Sequence, residues 1–377
     1  MFGRDVALMG HGQEILLVSK PLAPPWNDSG KVYVRDLANA LPARRFRALT
    51  PKGAPFPAAH VTSEPIYGDA GNYRPSLAQN LRVLARLLRP DSRIGLFHFF
   101  FAPNPRTSHA ARIACMLTRK PSVQTVLSAP KDFAKAPRWL FGDRVVVLSE
   151  STRGHLLAAG FDRAERIYPG VAVGEVSSLA RQRAQLHALD LEGGPIVLYP
   201  GDLEFSDAAR TVIDAAADIL RTVPKAMVVL ACRPKTEASH LALARLRECV
   251  RDEPRVRFCG EVADMRALLA ASHVVVLPAE TTYAKSDLPL VLLEALAEGV
   301  PVIVSDRPPI SEVLAGDVGL AVPPSAPGAL AAAVIRVLKD PARRQILSAN
   351  ARRVAETTFS AERMGAAYER IYADLLG

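Results

Sequence analysis

The segment that decides the fold class is Lys285-Ser-Asp-Leu-Pro-Leu-Val-Leu-Leu-Glu-Ala-Leu-Ala-Glu-Gly-Val-Pro-Val-Ile-Val-Ser-Asp306. It predicts a loop, an apolar helix over about 288–298, a stop at Gly299 and a buried strand. The amino end of such a helix offers unpaired backbone N–H groups and the positive end of the helix dipole, which attract phosphate. Glu294 lies further along the helix, where it can accept hydrogen bonds from ribose hydroxyls. The alternative is that Glu294 forms an ion pair on the helix and has no role in ligand binding.

The same alternation of strand and helix extends over the whole chain. In the second half, strands are predicted at 195–199, 226–231, 256–259, 273–277, 301–304 and 319–322. In the first half they are predicted at 15–19, 93–100, 122–127 and 144–149. Apolar strands alternating with helices indicate parallel sheets covered on both faces. We therefore predict an α/β protein with two doubly wound, Rossmann-like domains that face one another across a cleft.

The length of 377 residues suits two domains. Tyr168-Pro-Gly170 and the loop Asp190-Leu-Glu-Gly-Gly-Pro195 indicate where the first domain gives way to the second. We predict domains over 1–172 and 173–358, and a helix over 359–377 that crosses back to the first domain. Ligands of doubly wound sheets bind outside the carboxyl ends of the strands, so the predicted site is the cleft.

Composition limits the classes of protein to be considered. Met1–Gln13 has no signal-peptide apolar stretch, and no run of about 18 apolar residues exists, so we expect a cytoplasmic protein. None of the four cysteines forms a C-x-x-C pair, which predicts reduced, buried thiols and gives a zinc site no support.

The positive charge is concentrated in the first half. Residues 1–172 contain 24 Lys and Arg against 12 Asp and Glu, while the remainder carries a net charge of −3. Basic clusters occur at Arg44-Arg-Phe-Arg47 and on the predicted helix 77–88, with Arg82, Arg86 and then Arg89. Nucleic-acid binding is disfavoured because stacking aromatics and a binding motif are missing. Contact with an anionic membrane surface fits better, and a solvated helix face is the alternative.

Several of these segments together resemble the family 4 (group 1) retaining glycosyltransferases of the GT-B fold. Glu294 matches the second glutamate of the family signature, and 295–302 follows its small-residue helix, Gly-x-Pro and strand. Leu198-Tyr-Pro-Gly201 resembles the first strand of the family's second domain, and Gly260-Glu-Val262 fits a later loop. The final helix, with Tyr368, resembles the segment that crosses back to the first domain.

The resemblance implies that a nucleotide-diphosphate sugar binds the second domain and that an acceptor hydroxyl enters from the first. It also implies retained configuration and no bound metal or other cofactor. The predicted donor-binding residues are Gly30, Val262, Ser286, Leu288, Leu290 and Glu294, together with Lys235, which belongs to the clamp described below.

The sequence departs from the family pattern at positions that matter for the donor. The first glutamate of the signature is replaced by Ser286, with Asp287 beside it. Asp202 and Asp207 stand where the family has a basic pair, and each would repel a nearby diphosphate by about 1 kcal/mol or more. The family's first-domain histidine has no clear match, which leaves His98 as a catalytic candidate.

We therefore predict a rearranged cationic clamp. Arg233 and Lys235 follow a strand, and Lys285 precedes the phosphate-facing helix, so all three can stabilise a departing diphosphate. The alternative is that they are solvated surface cations. Asp287 is predicted either to contact sugar hydroxyls or to cap the 288–298 helix.

The predicted activity is the retaining transfer of a sugar to an unknown acceptor hydroxyl, in cell-envelope glycan or glycolipid synthesis. The basic first half favours a lipid-linked or anionic acceptor at the inner face of the membrane. Asn104 and Ser128 are candidate acceptor contacts, with turn formation as the alternative. A non-catalytic GT-B scaffold or regulatory partner that has lost donor binding is the first competing hypothesis. Another GT-B enzyme, such as a nucleotide-sugar epimerase, is the second.

Overall fold

The structure is a computed structural model that describes residues 13–69, 75–282 and 286–377. Two compact units are formed, Met1–Gly170 with Ala361–Gly377, and Val171–Ser360. Both divisions fall two residues from the predicted boundaries at 172 and 358. In the described part of the chain, no helix has both the length and the apolar character needed to cross a membrane.

The first unit is built on a seven-stranded sheet with the strand order β3-β2-β1-β4-β5-β6-β7. All neighbouring strands are parallel. Its strands are β1 (Glu14–Val18), β2 (Phe46–Thr50), β3 (Val61–Pro65), β4 (Ile94–Phe100), β5 (Ser122–Val126), β6 (Arg144–Val147) and β7 (Ala164–Arg166). Its helices are α1 (Ser29–Asn39), α2 (Leu77–Leu88), α3 (Pro105–Thr118) and α4 (Glu150–Ala158), together with a 3-10 helix at Ala136–Trp139. The strand order reverses between β1 and β4, as in a doubly wound fold.

The second unit contains a six-stranded sheet with the strand order β10-β9-β8-β11-β12-β13, also parallel throughout. Its strands are β8 (Ile196–Tyr199), β9 (Met227–Leu230), β10 (Val256–Phe258), β11 (Val274–Leu277), β12 (Val302–Ser305) and β13 (Gly319–Val322). Its helices are α5 (Leu179–Ala188), α6 (Ala208–Thr222), α7 (Glu237–Cys249), α8 (Met265–Ala271), α9 (Leu290–Ala297), α10 (Pro327–Lys339) and α11 (Pro341–Thr357). A 3-10 helix occupies Ile310–Leu314. The two parallel α/β sheets confirm the predicted fold class.

The last helix, α12 (Ala361–Leu376), belongs to the first unit although the second unit precedes it in the chain. Its buried side chains Met364, Tyr368, Ile371 and Tyr372 pack with residues of α1, β1, β2 and β4 in one core cluster. The core of the first unit is therefore completed by the end of the chain.

Part of the positive charge of the first unit is internal. Arg44, at the start of the predicted basic cluster, pairs with Glu369 at 2.6 Å, and Arg47 lies within β2 and pairs with Glu14 at 2.6 Å. Arg86 is also buried and pairs with Glu64 at 2.5 Å. These guanidinium groups neutralise neighbouring carboxylates, so they are unavailable to an external partner.

All four cysteines are free, as predicted, but their burial differs from the prediction. Cys232 is buried, Cys115 and Cys259 are half-buried, and Cys249 is exposed. The prediction of a buried thiol is therefore wrong for Cys249, because the residue ends α7 on the outer surface of that helix.

Candidate functional site

The candidate site of the second unit lies at the carboxyl edge of its sheet. The strand order reverses between β8 and β11, so the loops that follow these two strands diverge and leave a crevice. The loop after β8 covers 200–207, and the loop after β11 leads to α9. The loops after β9 and β10 meet the same edge.

The loop after β8 is held by hydrogen bonds between its side chains and its backbone. The hydroxyl of Tyr199 donates to the carbonyl of Asp202 at 2.8 Å, and Asp202 Oδ1 accepts the amides of Glu204 and Phe205 at 2.8 and 2.7 Å. A Cβ at position 201 would lie 2.1 Å from the ring of Tyr199, so only Gly201 fits beneath it. Asp202, which replaces a basic residue of the family, therefore closes a turn.

The second unexpected acid, Asp207, precedes α6 and gives it no side-chain cap. Its backbone N–H instead donates to the carboxylate of Glu280, at 3.0 and 3.3 Å from the two oxygens. Glu280 lies in the loop after β11, and its negative charge is favourable at the amino end of a helix. A carboxylate of the protein thus occupies an anion-binding position at the edge of the sheet.

The structure gives the predicted clamp a partner that the sequence did not indicate. Arg233 follows β9, and its Nη1 lies 3.0 Å from Oε1 of Glu261 in the loop after β10. Lys235 is exposed two residues further on, and Val262, next to Glu261, is half-buried. Lys285 lies outside the described residues, so its place in the clamp stays a prediction.

The residues before α9 are tightly buried. Ser286 is 8% exposed, and Asp287 and Leu288 have no exposed surface. The helix begins at Leu290, two residues later than predicted, with Pro289 at its N-cap and no side-chain cap. The prediction that Asp287 caps the helix is therefore wrong, whereas its predicted contact with sugar hydroxyls stays a prediction.

The two glutamates of α9 have different surroundings. Glu298, at the end of the helix, is buried, accepts the backbone N–H of Ser177 at 2.8 Å and pairs with Arg266 at 2.6 Å. Glu294 is half-buried and shares a helix face with Val291. Glu298 therefore fixes the packing of α9, and the role of Glu294 toward a ligand stays a prediction.

Gly30 lies in the first turn of α1, at the carboxyl edge of the first unit's sheet. A Cβ there would come within 3.1 Å of Asp28 Oδ1 and 3.2 Å of Leu127. Asp28 caps α1 by accepting the amide of Lys31 at 3.2 Å, and its second oxygen pairs with Lys20 at 3.0 Å. This charged group was not predicted from the sequence, although Asp28 and Lys31 lie on either side of Gly30.

Burial lowers the pKa of Lys31, and its ammonium group donates to the carbonyl of Ala23 at 3.1 Å. The neighbouring Asp28 opposes this shift, and Lys20 adds to it. A desolvated lysine beside Gly30 can bind an oxygen of an acceptor or donor.

His98 is a core residue, which corrects its prediction as a catalytic group. It has no exposed surface, and its Nδ1 and Nε2 lie 2.7 Å from the Tyr372 hydroxyl and 2.8 Å from that of Thr125. The Thr125 hydroxyl also forms a hydrogen bond of 2.7 Å with the hydroxyl of Tyr368, which in turn forms one of 2.8 Å with the hydroxyl of Tyr33. A neutral imidazole supplies one donor and one acceptor, as such a chain requires. Burial lowers the pKa of His98 well below its usual value.

Of the two candidate acceptor contacts, Asn104 forms the N-cap of α3. Its side chain accepts the amide of Thr107 at 3.1 Å, which supports the alternative of turn formation. Ser128 is half-buried after β5, and its role stays a prediction.

Comparisons with known proteins agree with this geometry. Residues 30–175 match the family model described as Glycosyltransferase Family 4, and residues 194–340 match the model described as Glycosyl transferases group 1. The N-acetyl-alpha-D-glucosaminyl L-malate synthase of Bacillus anthracis is 28% identical over 186 residues, 49% of this chain and 47% of that protein.

A second curated relative is the GDP-mannose-dependent monoacylated alpha-(1-6)-phosphatidylinositol monomannoside mannosyltransferase of Corynebacterium glutamicum. It is 33% identical over 176 residues, 45% of each chain. The chain thus spans about half the length of the curated relatives that it matches. Among solved structures, Anabaena HepE in complex with UDP and glucose has a TM-score of 0.75 at 18% identity, covering 96% of this chain and 100% of that one.

Proposed function

Because the chain belongs to the group 1, family 4 glycosyltransferases and has the GT-B fold, we propose that it transfers a sugar from a nucleotide-diphosphate sugar with retention of configuration. The bond between the sugar C1 and the donor diphosphate breaks, and the acceptor oxygen forms a bond to C1 on the same face. The hydroxyl proton leaves to the departing phosphate or to water. The main catalytic need is to stabilise the departing anion.

The observation that carries the proposal is the amino end of α9 at the carboxyl edge of the second sheet. The side chains of Leu288 and Leu290 are buried, so these residues would bind the diphosphate through backbone N–H groups. Glu294 lies just over one turn into the helix and would accept ribose hydroxyls. UDP, which HepE binds, is the first nucleotide to test.

The cations near this edge would hold the leaving diphosphate. Arg233 and Lys235 follow β9 directly, and Lys285 precedes α9 in the sequence. Val262 would line the nucleotide site, and Ser286 and Asp287 would lie near the sugar. Gly30, in the first turn of α1, is the donor contact that the family resemblance implies for the first unit.

Thermal unfolding with a panel of nucleoside diphosphates and nucleotide sugars tests donor binding. At about 100 times its dissociation constant, a ligand stabilises the folded protein by about 2.7 kcal/mol. We expect a clear upward shift in Tm with one nucleotide base and its loss in Glu294→Gln. Glu248→Gln is the matched control, because Glu248 is an exposed helix residue in the last turn of α7 and away from the carboxyl edge.

A non-catalytic protein that has lost donor binding is the second candidate. It is favoured by the carboxylates at the sheet edge, since Glu280 occupies the start of α6 and Glu261 holds Arg233. Unchanged Tm with every nucleotide and nucleotide sugar would favour this candidate over the transferase.

We further propose a lipid-linked or anionic acceptor in cell-envelope glycan or glycolipid synthesis, at the cytoplasmic face of the membrane. The excess of Lys and Arg in residues 1–172 supports this acceptor class. The name of the Corynebacterium relative, which includes a phosphatidylinositol mannoside, also supports it. From the family resemblance we expect no metal requirement, so turnover should persist in EDTA.

A further inference from the structure

The outer surfaces of α2 and α3 carry an unusual set of exposed apolar side chains. Leu77, Met116 and Leu117 are 78%, 71% and 69% exposed. Leu81, Leu88 and Ile113 are also exposed on these two helices. We call the surface formed by these six residues the α2–α3 face.

The topology places both helices on the same side of the sheet. The crossovers from β3 to β4 and from β4 to β5 run in the same direction along the strand order, so right-handed connections put α2 and α3 on one face. The two helices pack against one another, and their inner side chains, including Val83 and Ala111, share a core cluster. Their outer surfaces are therefore neighbours.

Helical periodicity gathers the exposed residues into two stripes. Leu77, Leu81 and Leu88 are four and seven residues apart and lie within about 40° around the axis of α2. On α3, the exposed apolar residues Ile113, Met116 and Leu117 lie within about 100° around the helix axis. α2 thus presents a narrow apolar ridge to the outside, and α3 presents a broader one.

The charge around these ridges is of one sign. Neither α2 nor α3 contains Asp or Glu. Arg82, Arg89, Arg106 and Arg119 are exposed beside the apolar ridges, whereas Arg86 is buried and paired with Glu64 and Asp91. The long aliphatic stems of such arginines can cover apolar surface while their guanidinium groups reach outward.

An anionic lipid surface complements this pattern. Apolar side chains enter the boundary between headgroups and acyl chains, and flanking arginines bind the lipid phosphates. A second copy of the same face would bring arginines against arginines, which opposes self-association. We propose that the α2–α3 face docks the protein on an anionic bilayer. This inference rests on the proposed function, for which it identifies the membrane surface that the first unit binds. Lipid binding can be measured without turnover, so the two proposals can be tested separately.

Co-sedimentation with vesicles tests the proposal directly. We expect the full chain to bind vesicles of equimolar phosphatidylglycerol and phosphatidylcholine at least tenfold more tightly than vesicles of phosphatidylcholine alone. Met116→Gln with Leu117→Gln should weaken binding at least tenfold. Replacing Arg82 or Arg106 by Gln should weaken it about fivefold each, because one basic residue contributes about that factor at an anionic surface.

The matched control replaces Leu241 and Ile346 by Gln, because both are exposed apolar helix residues of the second unit. This control should bind vesicles as the wild type does. All variants should keep the wild-type Tm and nucleotide-induced shift, which separates a failure of docking from a failure of donor binding.

Three results would overturn the proposal. The first is wild-type protein that stays in the supernatant with anionic vesicles. The second is full binding by the Met116 and Leu117 variant. The third is concentration-dependent dimerisation that this variant abolishes, since the face would then be a protein interface.

Discussion

At the scale of single residues, the ion pair of Arg233 and Glu261 allows a direct test of whether Arg233 stabilises the departing diphosphate. If Arg233 stabilises the departing diphosphate, Arg233→Ala should lower turnover at least tenfold and weaken UDP binding. Glu261→Gln should strengthen UDP binding about fivefold, because the nucleotide no longer competes with a carboxylate for the guanidinium. Isothermal titration with UDP and steady-state turnover measure the two effects.

Arg257→Ala is the matched control for this pair. Arg257 lies in β10 and pairs with Asp190 at 2.7 Å, in an exposed ion pair of the same kind. It should leave both quantities unchanged. Unchanged turnover in Arg233→Ala would remove Arg233 from the mechanism.

The sequence identified Arg233, Asp202 and Asp207 as charged residues of the site, but not Glu280 and not the pairings between them. Glu280 is 73 residues from Asp207, and Glu261 is 28 residues from Arg233, so only the fold brings each pair together. Asp202 looks like a lost basic residue in the sequence, and only the geometry gives it the role of closing a turn. His98 is a catalytic candidate in the sequence because the family's first-domain histidine has no clear match there, and its complete burial cannot be seen in the sequence pattern.

At the scale of elements, the apolar strands and amphipathic helices were predictable, and the short edge strands β3 and β7 of the first sheet were not. β3 has the sequence Val61-Thr-Ser-Glu-Pro65 and lies at the edge of its sheet, where no continuous apolar run is needed. β2 begins inside the basic cluster, because Arg47 pairs with Glu14 of the neighbouring strand. The arginines of this cluster therefore prevented the buried strand β2 from being predicted from the sequence.

The contact between α12 and β4 through His98 predicts a pH dependence of stability. Burial keeps His98 neutral in the folded protein, whereas the unfolded chain binds a proton there below about pH 6.5. The free energy of unfolding should therefore fall by about 1.4 kcal/mol per pH unit as the pH drops below that value. His273 in the second unit, whose pKa burial also lowers, contributes with the same sign.

Urea unfolding at about pH 7.5 and about pH 5.5 measures this dependence. His98→Gln should show a smaller loss of stability on acidification than the wild type, and substitution of the exposed His240 by Gln should show the full loss. Equal acid sensitivity in the wild type and His98→Gln would contradict a neutral, buried His98.

For the whole molecule, the two-domain organisation was predictable from length and the repeated strand–helix pattern. The second unit, Val171–Ser360, is one continuous stretch with its own sheet. We expect a fragment of these residues to fold and to bind UDP as the full chain does, because the proposed diphosphate contacts of α9 and Arg233 lie within it. Circular dichroism and isothermal titration test this, and a folded fragment without affinity, beside a full chain that binds, would place essential contacts in the first unit.

The first unit is discontinuous, and this affects how the protein is made. Tyr368 and Tyr372 of α12 are fully buried in a core whose members outside this helix lie between Ile15 and Ile167. During synthesis, this apolar surface of the first unit stays uncovered until α12 has emerged from the ribosome. The second unit can finish folding earlier, although it is synthesised later. A premature stop codon shortly before α12 would therefore damage the part of the protein that was translated first.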